Sequence, residues 1–164
     1  MAPWSPKVFI VSQALLTTVG LALLGMITTA VFGVMGVDIS RHILLGMFST
    51  MITLLGHCMM MFYFIGKAKA VKEAMVEGQI TGDYQQRMVA VRKPVFSVGT
   101  VAMAVTMVAA IMGATADTKL LPPIVHGMIA YGAIACNLAA VKIEIDALAE
   151  STRIVDEVDR RLQS

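Results

Sequence analysis

Three histidines are the side chains of this sequence that could do chemistry, because each lies inside or at the edge of an apolar segment. His42 and His57 belong to the second such segment, and His126 to the fourth. Imidazole is a metal ligand and a proton carrier near neutral pH. A haem b held by two histidines needs one imidazole from each of two facing helices. His42 and His126 are therefore candidate ligands of a haem iron.

The residues that share a helix face with these histidines are small or polar. Small residues let membrane helices approach closely, and polar residues usually face protein rather than lipid. We therefore expect the two stripes to face the bundle interior and each other. The stripes consist of His42, Gly46, Ser49 or Thr50, Thr53, and Gly56 or His57 in the second segment, and of His126, Ala130, Ala133, Asn137 and Ala140 in the fourth.

Neighbouring positions give two further expectations about packing. Ile129 is expected to face lipid, in contrast to Ala133 on the inward stripe. The small residues of the first and third segments are expected to be packing positions, as in other membrane bundles. These are Gly20, Gly25, Gly33, Gly36, Ala109 and Gly113.

His57 follows His42 by fifteen positions, which is about 22 Å along a helix axis. This depth predicts that His57 lies level with Asn137. The spacing of the two histidines resembles the stacked two-haem arrangement of respiratory b cytochromes, in which two helices carry two histidines each. The fourth segment has no histidine near Ala140 or Val141, so a second haem at His57 would need another ligand, such as a methionine, a water or a partner subunit.

Other interpretations of the same residues stay open. Without a cofactor, His42 and His126 are explained as interfacial residues at helix ends, and His57 as a buried polar group hydrogen-bonded to Asn137 or to a threonine. His42, His126 and Asp38 together are a candidate zinc or copper site.

A lipid- or quinone-binding cleft is a further alternative. Tyr63, Tyr131, His57 and Asn137 are its candidate lining residues, because they combine apolar bodies with polar tips.

The composition indicates a membrane protein. The chain has 164 residues, of which 57% are hydrophobic and 15% are charged, and its mean hydropathy is +0.77. Soluble domains carry about 25% charged residues. Four apolar runs reach or approach the roughly 20 residues that cross a bilayer. We predict one all-α domain over 1–164, a four-helix membrane bundle with spans at 8–35, 42–66, 95–114 and 123–141.

The distribution of basic residues predicts the orientation of this bundle. The connection 67–93 carries six Lys or Arg residues, whereas the two short turns carry only Arg41 and Lys119. Cytoplasmic loops are enriched in Lys and Arg. Both termini and the connection are therefore expected in the cytoplasm, with the spans in a bacterial-type inner (plasma) membrane.

The helices are expected to continue beyond the spans. The second should end at Gly78, and the tail 142–164 should be helical. In the tail, apolar residues recur every seven positions, at Val141, Leu148, Val155 and Leu162. We expect this stripe to pack on the connection 67–93 or on a neighbouring subunit.

Several functions are disfavoured by what the sequence lacks. A proton-coupled exporter needs a carboxylate in the membrane, and no Asp or Glu lies within the four apolar runs. No CxxC, HExxH or Gly-rich phosphate loop occurs, and the net charge of +2 gives no indication of nucleic-acid binding.

These observations predict a small membrane subunit that is not catalytic by itself. It would belong to a respiratory or other membrane oxidoreductase complex, or form a homo-oligomer, and would hold haem b between the second and fourth spans. The alternatives are a purely structural or assembly protein without a cofactor, and a lipid or quinone binder.

Overall fold

The computed structural model describes residues 6–36, 38–120 and 122–163 and forms four long helices in that part of the chain. All four are long and apolar enough to cross a membrane. This confirms the prediction of an all-α chain with four apolar helices. They are α1 Pro6–Met35, α2 Ile39–Glu77, α3 Tyr84–Asp117 and α4 Pro123–Leu162.

Two short connections lie at one end of the bundle, which we call the turn end. Gly36 stops α1 there by adopting a φ of +62°, a conformation that costs glycine little. Asp38 then caps α2 by accepting a hydrogen bond from the Ser40 N–H at 3.1 Å. Gly36 is therefore a helix terminator and not the packing glycine we expected. Gly20 is also not at a close contact, since a Cβ there would have no atom within 4 Å.

The connection between α2 and α3 lies at the opposite end, which we call the extension end. α2 stops at Glu77, where the N–H of Gly78 donates to the carbonyl of Ala74 and the N–H of Gln79 donates to that of Val76. α3 begins after Asp83 and continues through Pro94. Most of the connection 67–93 is therefore helix, as predicted.

The four helices associate as two hairpins. α1 packs mainly on α2, and α3 packs mainly on α4. The hairpins join through α2 and α3, and α2 also meets α4 across the centre. α1 also meets α4, whereas the backbones of α1 and α3 do not come close within the described ranges. Residues on the inward faces of α2 and α4 are thus the ones brought together at the middle.

At the extension end, α4 packs on the ends of α2 and α3. A buried apolar cluster there consists of Ala68, Val71, Met88, Ile154 and Val158. This confirms that the tail packs on the 67–93 connection. The predicted stripe is offset from this core. Val155 is half-buried at its edge, Leu148 is half-buried against a different apolar cluster, and Leu162 is 46% exposed.

The outer surface of the bundle is rich in large apolar side chains. Leu44, Ile124 and Met128 are each more than 60% exposed, as expected of helices able to face acyl chains. Ile129 is different: it is half-buried and packs on the cluster that contains Ala133. The expectation that Ile129 faces lipid is therefore wrong.

Candidate functional site

His42 and His126 lie side by side near the turn end. Their ring centroids are 6.1 Å apart, and the ring planes make an angle of 79°. Both side chains are half-buried. The expectation that these two histidines lie at one level and face each other is confirmed by this contact.

Each of these rings is fixed by a backbone carbonyl of the helix that precedes it. His42 Nδ1 lies 3.0 Å from the carbonyl oxygen of Thr29, and His126 Nδ1 lies 3.1 Å from that of Ala109. Because a carbonyl only accepts hydrogen bonds, Nδ1 carries the proton in both rings. In the neutral tautomer, Nε2 then presents a lone pair.

A glycine lies against the edge of each ring. A Cβ on Gly33 would lie 2.9 Å from Cε1 of His42, and one on Gly113 would lie 3.1 Å from Cε1 of His126. The first distance is shorter than real Cβ contacts, and the second is tighter than most of them. Both glycines are therefore close-approach positions that make room for an imidazole, as expected for the small residues of α1 and α3.

The two hairpins repeat this arrangement. In each, the carbonyl that binds Nδ1 belongs to the residue four positions before the glycine. Each hairpin also consists of consecutive helices that pack mainly on each other. His42 and His126 therefore occupy equivalent positions in the two hairpins. The residue types do not show this repeat, because Thr29 in the first hairpin corresponds to Ala109 in the second.

His57 lies in a separate, fully buried site. The ring is 3% exposed, and its Nε2 lies 2.9 Å from Oδ1 of Asn137, as the depth estimate predicted. Its Nδ1 lies 2.6 Å from Oε1 of Glu144, which is only 1% exposed. Both ring nitrogens of His57 are thus occupied, and neither is free to bind a metal.

The direction of the hydrogen bonds around Asn137 is fixed by its other contacts. Its Nδ2 donates to Thr106 Oγ1 at 2.8 Å and to the carbonyl of Ala133 at 2.7 Å. The oxygen of the amide must therefore face His57, whose Nε2–H donates to it. This leaves a single proton to be shared between Nδ1 of His57 and Oε1 of Glu144.

Glu144 has a second oxygen with no such contact. Oε2 is buried and has no hydrogen-bond partner among the described residues. Glu144 is not among the site residues predicted from the sequence, because it lies just beyond the fourth apolar run. Its position on the same helix face as Asn137 and Ala140, one turn further along, is the feature that could have indicated it. Its burial removes the argument that the bundle interior lacks a carboxylate.

A small cavity lies beside this site, between α1, α2 and α4. Its volume is about 10 Å³, which is near the minimum for one water molecule. Its polar lining comes from Thr53, His57 and Asn137. Tyr131 is 54% exposed, and Tyr63 packs edge-on against Phe64 at 5.6 Å. Of the four residues predicted to line a quinone or lipid cleft, His57 and Asn137 line this cavity, whereas Tyr63 and Tyr131 do not.

The candidate zinc or copper site is not assembled either. Asp38 pairs with Nε of Arg41 at 3.2 Å and caps α2. In the part of the chain that the structure describes, no group of three or more His, Cys, Asp or Glu side chains is placed to hold a metal ion. His42 and His126 remain as a pair without a third such ligand.

Comparisons with protein-family models, with curated proteins and with solved structures found no match. Function is therefore inferred from the two histidine sites. The pair near the turn end offers two unprotonated Nε2 atoms. The site around His57 offers a shared proton and an unpaired carboxylate oxygen.

Proposed function

We propose that this chain is a multi-pass membrane subunit that would hold haem b between α2 and α4 through His42 and His126. The observation that carries the proposal is that the two rings make the same kind of hydrogen bond. Each donates Nδ1–H to a backbone carbonyl, which leaves Nε2 for the iron. Metal-bound histidines almost always donate their other ring nitrogen in this way, and the bond fixes the tautomer and the ring orientation.

The two rings come from different helices and lie next to each other, as two histidines that hold one haem must. The centroids of His42 and His126 are 6.1 Å apart. Gly46 and Ala130 follow the histidines by four positions on the same stripes, and small residues there favour the packing of a flat macrocycle.

Haem b bound there would supply one-electron transfer, and the chain's own residues would set its position. The carbonyls of Thr29 and Ala109 would hold the imidazoles and raise their basicity as ligands. His57 and Asn137 would not bind this haem, because their polar atoms are already paired with each other, with Glu144 and with Thr106.

An electron carrier needs partners that supply and remove electrons. We therefore propose that the chain works as a non-catalytic subunit of a membrane oxidoreductase complex, with a homo-oligomer as the second candidate. The basic residues of 67–93 support an orientation with both termini in the cytoplasm of a bacterial-type cell. The proposed haem would then lie near the outer surface of the plasma membrane.

The haem proposal is tested by optical spectroscopy on protein purified from its native membrane. We expect split α and β absorption bands after reduction with dithionite. His42→Ala and His126→Ala should each remove or alter these bands, and added imidazole should restore them in part. Met128→Ala, on the exposed face of α4, is the matched control and should keep the wild-type spectrum.

A colourless wild-type preparation without bound metal would contradict the haem proposal and favour a structural or assembly protein. The subunit proposal has its own test, which is extraction in a mild detergent. We expect larger membrane proteins to co-purify with the chain. A homogeneous peak that contains this chain alone would contradict membership of a larger complex.

A further inference from the structure

The apolar middle of the bundle carries one acid and one base, and they are in contact. α1 has no ionisable side chain from residue 11 to residue 36, and α3 has none from 94 to 116. α2 presents His57 to this region, and α4 presents Glu144. Their nearest charged neighbours on α4, Lys142 and Asp146, form an exposed ion pair with each other at 3.1 Å.

The contact between His57 and Glu144 requires at least one proton. Nδ1 and Oε1 are 2.6 Å apart, and two bare lone pairs at that distance would repel each other. The proton makes either imidazolium with carboxylate or imidazole with carboxylic acid. The pair is electrically neutral in both forms, which suits its burial.

The same geometry identifies the atom that can receive a second proton. Nε2 of His57 already carries a hydrogen, and Oε1 of Glu144 is engaged with Nδ1. Oε2 of Glu144 is buried without a donor. A buried polar atom without a partner is rare in folded proteins, and such an atom calls for an explanation.

We propose that His57 and Glu144 form a proton-binding site inside the bundle, with Oε2 of Glu144 as the atom that accepts the exchangeable proton. In the neutral pair the shared proton stays on His57, so that the pair is imidazolium with carboxylate. Uptake converts it into imidazolium with carboxylic acid, and the net charge rises by one. Release restores the neutral pair. This site is distinct from the His42–His126 pair and does not depend on a bound haem.

The test is infrared spectroscopy of the full chain in lipid nanodiscs, titrated with pH while circular dichroism confirms that it stays folded. We expect the carbonyl-stretch band of a buried carboxylic acid to grow reversibly as the pH falls. Labelling with ¹³C-glutamate and exchange into D₂O should both shift the band. Glu144→Gln should abolish it, and Glu73→Gln should keep it, since Glu73 is an exposed helix residue paired with Lys69.

Two results would overturn the proposal. A carboxylic acid band of constant intensity would show that the proton is fixed on Glu144 throughout. The absence of a Glu144 band at every pH would show a permanent ion pair. The isotope shifts are measured on wild-type protein, so the decision stands even if the Glu144→Gln variant does not fold.

Discussion

Nδ1 of His57 lies 2.6 Å from Oε1 of Glu144, although the two residues are 87 positions apart in the sequence. The contact joins α2 to α4 in the buried centre of the bundle, where Asn137 and Thr106 extend it to α3. One shared proton therefore connects side chains from both hairpins, and the pair should behave as a unit when it is mutated.

Replacing either member of this pair should lower the free energy of unfolding strongly. Replacing both should lower it by less than the sum of the two single losses. Glu144→Met leaves a buried imidazole without its acceptor, and His57→Leu leaves a buried carboxyl without its donor. Each should lower the free energy of unfolding by about 3–5 kcal/mol. The double variant should recover about 0.5–3 kcal/mol of the summed loss, measured by unfolding in detergent with increasing denaturant.

The matched control for this cycle is the exposed ion pair of Lys142 and Asp146. Lys142→Met should change the free energy of unfolding by about 0.5 kcal/mol or less. If the losses from His57→Leu and Glu144→Met simply add, the two side chains do not interact in the folded protein.

The two glycines beside the histidine pair should be sensitive to a single methyl group. Gly33→Ala and Gly113→Ala place a Cβ 2.9 Å and 3.1 Å from Cε1 of an imidazole, so each ring must shift and its hydrogen bond to the carbonyl is weakened. Each change should cost about 1–3 kcal/mol of stability and lower the haem content if haem is bound. Both are measured on the purified variants, by denaturant unfolding and by the absorbance of the reduced protein.

Gly132→Ala is the control for these two glycine changes, because a Cβ there has no atom within 4 Å. It should be neutral, or should stabilise α4 by about 0.5–1 kcal/mol through its helix propensity. Equal effects at all three glycines would mean that the imidazoles do not lie against Gly33 and Gly113.

Ala133 tests the packing of the inward face of α4. It is 1% exposed and packs with Met26 and Ala109. Ala133→Phe should overpack this cluster and destabilise the bundle by about 1–3 kcal/mol or more. Met128→Phe, at a position that is 70% exposed, should have little effect on the same unfolding transition. Equal tolerance at the two positions would contradict the face assignment.

The sequence predicts the four helices well because each apolar run is long and uninterrupted. It also predicts the depth of His57, since a rise of about 1.5 Å per residue converts spacing into level. The buried face of α4 is wider than the line of positions at steps of three and four from His126. It therefore includes Ile129, which those steps leave out. Which neighbours touch the edge of a stripe depends on how the hairpins pack, and that is set by contacts distant in sequence.

Glu144 shows why part of the site was not predictable from composition. Hydropathy assigns a glutamate to the polar side of a span boundary, and this one is followed by a charged tail. Its burial depends on His57, a partner on another helix that satisfies one carboxylate oxygen. The carbonyls that bind His42 and His126 could not be predicted either, because every residue type has a backbone carbonyl.

At the extension end, the stability of the bundle should depend on pH through Arg87 and Glu157. The guanidinium of Arg87 donates to Oε2 of Glu157 at 2.6 Å and to Oε1 of Glu150 at 3.1 Å. The hydrogen bond from Arg87 lowers the pKa of Glu157 below its ordinary value of 4.5. The folded state then binds fewer protons than the unfolded state, so this stabilisation is complete above the ordinary pKa and is lost as pH falls through the lowered one.

Arg87→Gln should therefore lower the unfolding midpoint at neutral pH, and the gap to wild type should narrow in acid. Lys69→Gln, which breaks a more exposed pair with Glu73, should change the midpoint little at either pH; a gap for Arg87→Gln that widens in acid would contradict the proposed role of Glu157.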